Sequence, residues 1–254
     1  MEKRLGNLIS NLLDDPGKVS WQWAVSIISI VCLILGKFAW IDLLWILIAH
    51  YVIYLVGLEI GYHKLLAHKA FKTNSWIKNI LAFIGNITCH PPVLQWVTIH
   101  RLHHATSDGL GDPHSPWVPK RGLLSYLFFT RWEPMVREYE FKNDKFLIWL
   151  TNHQGLCLWF TTAILLSFFD LTTVLVWFAI PSIISPYCLG LANYVTHQGK
   201  HNGYDHAQNW YWIEPIAPGM GFHGNHHDKP GTWTLAKKYW WIDLSSIIVK
   251  LIKR

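Results

Sequence analysis

Charge is scarce in this chain. Only 15% of its 254 residues are Asp, Glu, Lys or Arg, and the basic residues form no run and no nucleic-acid-binding motif. The net charge of +6 therefore does not point to nucleic acid. Cysteine is equally sparse: Cys32, Cys89, Cys157 and Cys188 stand alone without C-x-x-C spacing, which excludes a Cys₂His₂-type zinc site and leaves four reduced apolar residues. No carboxylates stand at E-x-x-H spacing, which argues against a carboxylate-bridged metal pair. No G-x-S-x-G elbow is present either, and with it goes the serine-hydrolase reading. Internal repeats and low-complexity segments are absent, as is a small-residue cleavage site of a secretory signal.

What the chain has in quantity is apolar and aromatic surface. Hydrophobic residues reach 51%, with 16 tryptophans, a membrane protein's profile. Residues 1–20 read as a short interfacial leader with a turn at Asp15-Pro16-Gly17. The hydropathy pattern predicts an all-α integral membrane protein with four transmembrane helices in two hairpins, over about 21–39, 41–62, 146–169 and 171–192. Residues 63–145 and 193–254 then make up a single cap, completing one domain over 1–254. Within it, residues 80–94 are apolar but interrupted by Gly85, Asn86, His90 and Pro91-Pro92, which suits an interfacial or re-entrant piece. This arrangement leaves Lys37 alone on one side of the membrane and the other 21 of 22 Lys and Arg on the opposite side. The positive-inside rule then assigns the cap and both termini to the cytoplasm.

The histidines are patterned. His100-x-x-His103-His104 and His223-x-x-His226-His227 repeat one motif, His63-x4-His68 adds a pair, and Asn193-x3-His197 a fourth element. On a helix, residues at i, i+3 and i+4 share one face, so each H-x-x-H-H motif is expected to aim three imidazoles at one point. Nine histidines exceed the four to six ligands of one metal, and two metals are the economical reading. His63 and His68 lie about 140° apart on an ideal helix, so they either serve different metals or sit where the helix distorts. Nitrogen-only ligation suits iron, copper, zinc and nickel alike. His50, His90, His114, His153, His201 and His206 lack patterned partners and read as structural.

The motifs in sequence resemble the histidine boxes of the membrane fatty-acyl desaturases of the stearoyl-CoA and acyl-lipid Δ9 type. Gly61-Tyr62-His63 through Lys72 looks like the first box, His100-Arg101-x-His103-His104 with Asp112-Pro113-His114 and Arg121-Gly122 like the second, and Gly221-Phe222-His223-x-x-His226-His227-x-x-Pro230 with Trp240-Trp241 like the third and its tail. The resemblance implies O₂-dependent insertion of a cis double bond into a saturated fatty acyl chain, lipid-linked or CoA-linked, at a centre of two iron ions. Its ligands would be His63, His68, His100, His103, His104, His197, His223, His226 and His227, with Asn193 in water-mediated contact. Trp96 and Arg131 are candidate substrate contacts, and Asp108, Asp112, Asp228 and Glu59 candidate partners that orient the rings. The chain departs from the family pattern at Met220 and Ile242, where glutamate is usual, and at Thr98-Ile99, where animal acyl-CoA enzymes carry Arg-Asp.

No haem, flavin or iron–sulfur motif is present, so electrons are expected from a separate ferredoxin or b-type cytochrome; the basic face would suit its docking, although the topology bias of membrane proteins explains that charge better. Two other readings use the same residues. A hydroxylase or other oxygenase would need only a shifted substrate position. A membrane metal transporter would need ionisable residues along the middle of several spans, and these spans are mainly apolar.

Overall fold

A computed structural model describes residues 15–117, 122–129, 139–199, 205–236 and 243–254, and among them the regular structure is helical. Helix α1 (Pro16–Ile34) begins earlier than hydropathy alone suggests. Asp15 accepts the Lys18 backbone N–H at 2.9 Å and Pro16 fills the first helical position, where its missing N–H costs nothing. Lys37 follows in the short connection to α2 (Trp40–Ala67). This helix does not stop at residue 62: its last part, Tyr54–Ala67, continues as a π-helix that carries His63 inside it and places His68 at its C-cap.

Helices α3 (Ser75–Asn86) and α4 (Val93–Thr106) flank the π segment, separated by the Pro91-Pro92 break. After the short α5 (Leu123–Phe129), the chain forms α6 (Lys145–Asn152) and α7 (Gln154–Phe168), then α8 (Leu171–Thr196). The single span expected over 146–169 is thus two helices. The chain breaks at His153 because its neighbours are tied inward: Gln154 Nε2 donates to the carbonyls of Asn86 and His90, both at 2.8 Å, and the Gly155 N–H to Asp15 at 2.8 Å. In α8, Pro181 and Pro186 remove two backbone donors, and the ladder widens to π over Leu175–Ala179 just before the first of them.

Three helices, Pro16–Ile34, Trp40–Ala67 and Leu171–Thr196, are long and apolar enough to cross a membrane, and Gln154–Phe168 is a shorter apolar helix. They associate across the two hairpins. Trp21 Nε1 of α1 donates to Thr162 Oγ1 of α7 at 2.7 Å, and Trp45 of α2 stacks on Trp177 of α8 with centroids 5.2 Å apart. Leu33, Ile34, Leu43 and Leu47 point outward and are more than half exposed, an apolar belt that suits lipid. The cap follows from α3, α4, the segments 205–236 with α9 (His223–Asp228), and α10 (Leu244–Ile252), all gathered around the end of α2.

Helices α2 and α3 approach closely through glycines. A Cβ on Gly57 would lie 2.6 Å from the Gly85 nitrogen, and one on Gly85 2.5 Å from the Tyr62 ring. Because the first obstacle is backbone, it cannot rotate away. We expect Gly57→Ala to destabilise the protein by ~1–3 kcal/mol, read as a lowered midpoint of thermal unfolding in detergent. Gly122→Ala, with open space around its Cβ, should leave the midpoint unchanged.

Candidate metal centre

The nine patterned histidines converge, but not motif by motif. His63, His68, His100, His104 and His226 form one group and His103, His197, His223 and His227 another, the ligand nitrogens within each lying within 4.8 Å of one another. Each H-x-x-H-H motif therefore divides its rings between the two groups instead of aiming three at one point. The groups adjoin, with the rings of His104 and His227 4.4 Å apart, so one helix face reaches both.

The π-helix settles the geometry of the first pair. The His68 N–H bonds to the His63 carbonyl at 3.0 Å, five residues back, so residues five apart fall one turn apart on the same side. Their rings sit 4.9 Å apart in one group. Of the two options left by the spacing, the distorted helix is the one found. Arg101 fixes this helix end to α4, donating from Nε to the Ala67 carbonyl (2.7 Å) and from Nη2 to the Leu66 carbonyl (2.9 Å). These are the orphan acceptors that any helix C-terminus leaves.

Four rings are oriented by carboxylates. His63 Nδ1 is 2.7 Å from Glu59, His103 Nδ1 2.8 Å from Asp112, His197 Nδ1 2.7 Å from Asp108 and His227 Nδ1 2.9 Å from Asp205. A carboxylate accepts, so each Nδ1 carries the proton and each Nε2 presents a bare lone pair inward. Among the described residues, Nε2 of His103 and of His227 is buried with no hydrogen-bond partner. Buried lone pairs of this kind suit a cation. Burial and then the neighbouring rings hold His68, His100, His104 and His226 below the ordinary imidazole range, in the neutral form that a metal requires. Burial is the largest single influence on Asp108 and opposes its ionisation, but the hydrogen bond and charge of His197, the His206 N–H and the Ser115 hydroxyl together outweigh it and keep the carboxylate below its usual range. The residues present fit a metal.

The acids themselves are held. Asp108 also accepts the His206 N–H (2.9 Å) and the Ser115 hydroxyl (2.9 Å), and Asp112 accepts the N–H of Asp108 (2.8 Å) and His114 (3.0 Å). Glu59 lies 3.3 Å from Lys64, which is 1% exposed, contacts Ser245 and lies 3.5 Å from Asp243. Spacing brought Glu59, Asp108 and Asp112 into view. Asp205, 22 residues before His227, carried no sequence signal, and the His227 ring takes it as the Nδ1 partner in place of the neighbouring Asp228. Glu214 was also missed: burial pushes its carboxyl up to about 7 while the N–H groups of Gly219 and Gly221 pull the other way.

A cavity opens beside both groups. Its wall is mainly apolar and includes Tyr54, Leu58, Ile99 and Leu189, with His63, His100 and His223 at the metal side. Trp96 lines it and stacks on His100 at 4.7 Å, the planes 14° apart. Asn193 lines it too, one helical turn before His197, its amide donating to the Tyr126 hydroxyl (2.5 Å) and the His114 carbonyl (3.3 Å). Arg131, His201 and Ile242 lie outside the described residues.

Among the described residues, the histidines outside the patterned set have protein partners or neighbours. His50 Nε2 is 2.7 Å from the Ile216 carbonyl, His90 Nε2 3.0 Å from Ser185 Oγ, His153 Nδ1 2.8 Å from the Trp149 carbonyl and His206 Nδ1 2.8 Å from the Gly199 carbonyl. The His114 ring is buried 4.4 Å from that of His103, and together with Asp112 these two make a further cluster of potential ligand atoms.

Residues 38–242 match the fatty acid desaturase family. A curated relative, the sn-1 stearoyl-lipid 9-desaturase of Anabaena variabilis, is 27% identical over 86% of this chain and 83% of its own length. Delta-9 acyl-lipid desaturase 1 of Arabidopsis thaliana is 27% identical over 78% of this chain and 68% of its own length. The hex-5-enoyl-[acyl-carrier protein] acetylenase of Moorena producens is 26% identical over 85% and 78%. With the helical fold, the apolar helices and the histidine groups in place, the match over most of the chain has one consequence: this protein belongs to the fatty acid desaturase family and is an oxidoreductase, a fatty acyl desaturase.

Proposed function

We propose that the protein is an O₂-dependent desaturase that introduces a cis double bond, at Δ9, into a saturated fatty acyl chain through two irons held by nine histidines. The observation that carries this reading is the pair of adjoining all-histidine groups opening on one apolar cavity. His63, His68, His100, His104 and His226 would hold one iron and His103, His197, His223 and His227 the other, with Asn193 placed for a water-mediated contact. The irons, when bound, supply the activation of O₂ that an unactivated C–H bond demands. Two hydrogens leave the chain, and O₂ with two electrons and two protons ends as two waters. The electrons come from a ferredoxin or a b-type cytochrome, since the chain has no redox motif of its own.

The protein's own residues bind, orient and exclude water. Glu59, Asp108, Asp112 and Asp205 keep the lone pairs of four rings aimed inward, which raises their basicity as ligands. Leu58, Ile99 and Leu189 give the acyl chain a dry wall, and Trp96 closes the cavity over His100. A chain held in one bent conformer beside the histidines would be limited in both the position and the geometry of its double bond. The names of the relatives favour a lipid-linked chain over a CoA-linked one, and Ile99 in the cavity wall, with no Arg-Asp pair before the second box, agrees. The topology that suits this site has four spans, α6 and α7 together serving as the third. The histidines and both termini are then cytoplasmic, as the placement of Lys37 requires.

Expression in a host with a defined saturated acyl pool should yield a new monounsaturated chain, mapped by double-bond analysis of total lipids, and His103→Ala and His226→Ala should abolish it. A hydroxyacyl product in its place would overturn the assignment. Asp205→Asn, which leaves His227 without its carboxylate, should lower iron affinity or activity by roughly 10–100-fold, measured as iron bound per chain and as turnover. A cysteine at Lys37 should react with an impermeant maleimide from outside intact cells, and one at Lys72 only after the cells are opened. The reverse pattern would invert the proposed topology.

A further inference from the structure

The turn that leads into the third histidine motif is gripped from two sides. Glu214 accepts the Gly219 N–H through Oε1 and the Gly221 N–H through Oε2, each at 2.9 Å. Opposite it stands the Glu59 carboxylate, so close that a Cβ on Gly219 would lie 2.4 Å from its carboxyl carbon, and Gly219 takes a φ of 90° that favours glycine. A Cβ on Gly221 would in turn lie 2.8 Å from Glu214 Oε2. Of these three residues only Met220 projects a side chain. It is buried, 6% exposed, and lines the cavity together with Tyr54, Leu58, His63 and His223. His63 belongs to one histidine group and His223 to the other, so the thioether stands where the cavity meets both. The 3-10 turn Met220–Phe222 runs straight into the helix that begins at His223, so the Met220 backbone is tied to that of the third motif.

We propose that Met220 is a specificity-determining residue that sets which carbons of the acyl chain rest at the metal centre, and that Glu214 is the positioning residue that holds it there. This rests on the acyl-chain reading of the cavity. Methionine is unbranched and polarisable and fills irregular apolar space. A change of about one methylene in such a pocket shifts discrimination between substrates by roughly tenfold or more. Glu214 acts at a distance: its two oxygens take the two N–H groups that flank Met220, and an amide at this position retains only one acceptor.

The test uses the full-length iron-loaded protein and a phosphatidylglycerol whose stearoyl chain carries a diazirine at mid-chain. Photolysis and peptide mapping should place label on Met220 in the wild type, and the yield there should fall several-fold in Glu214→Ala. In parallel, Met220→Leu and Met220→Ala should change the ratio of positional isomers, or of C16 to C18 product, by roughly tenfold, with iron content and unfolding midpoint as in the wild type. Glu214→Ala should shift the same ratio in the same direction, and Glu214→Gln by less. Label on Leu127 or Tyr187 with none on Met220, or unaltered product ratios in both Met220 variants, would overturn the proposal. Label on Met220 with no alkene formed from any saturated chain would retain it and instead remove the desaturase reading.

Discussion

Everything in the cap depends on keeping nine imidazoles uncharged and aimed in a volume where water is excluded. Neutral rings crowd together at little electrostatic cost, whereas protonated ones would repel and demand hydration. Burial favours the neutral form of seven of them, His68, His100, His103, His104, His223, His226 and His227. Direction has to come from elsewhere, and it comes from carboxylates on the outer nitrogens, each anchored by backbone N–H groups, hydroxyls or a lysine. The acids are drawn from helix, loop and cap alike: Glu59 from α2, Asp108 and Asp112 from the loop after α4, Asp205 from the segment before the third motif. The centre is therefore a property of the whole cap and of no single helix.

The sequence revealed which histidines converge more fully than how they divide. Spacing at i, i+3 and i+4 put each H-x-x-H-H triplet on a helix face, and the faces are where they were expected. The division of those faces between two groups depends on how α4, α9 and the end of α2 cross, and no local pattern encodes a crossing. Likewise the 140° between His63 and His68 marked a conflict that only a change of helix type resolves. Glu59 was visible because it lies one helical turn from its ring. Asp205 was invisible because it meets His227 through a loop, and Glu214 because it binds backbone, which leaves no side-chain pattern.

The membrane-facing part divides the same way. Hydropathy located the three helices long and apolar enough to cross a membrane and the shorter apolar Gln154–Phe168, since such a segment is marked by composition and length alone. It missed the break at His153, where Gln154 and Gly155 are held by Asn86, His90 and Asp15, contacts that lie 64 to 140 residues away in sequence. It also ended α2 at residue 62, because the cap residues beyond are more polar and the helix continues through them only as far as its tertiary partners allow. Both errors arise where a helix obeys its neighbours in place of its own sequence.

The contact of Lys64 with Asp243 and Ser245 has a bearing on how the protein comes into being. A π-helix gains less from its own hydrogen bonds than an α-helix of the same residues, so the last turns of α2 take their register from what packs on them. One of those partners is the segment that opens α10, nearly two hundred residues further along the chain. During synthesis α2 is made well before α10, at ~5–20 residues per second. The first histidine box is thus made long before it is set, because the residues that set it follow nearly two hundred positions later. A chain interrupted between α9 and α10 would carry all nine patterned histidines and still lack the contacts that set the end of α2.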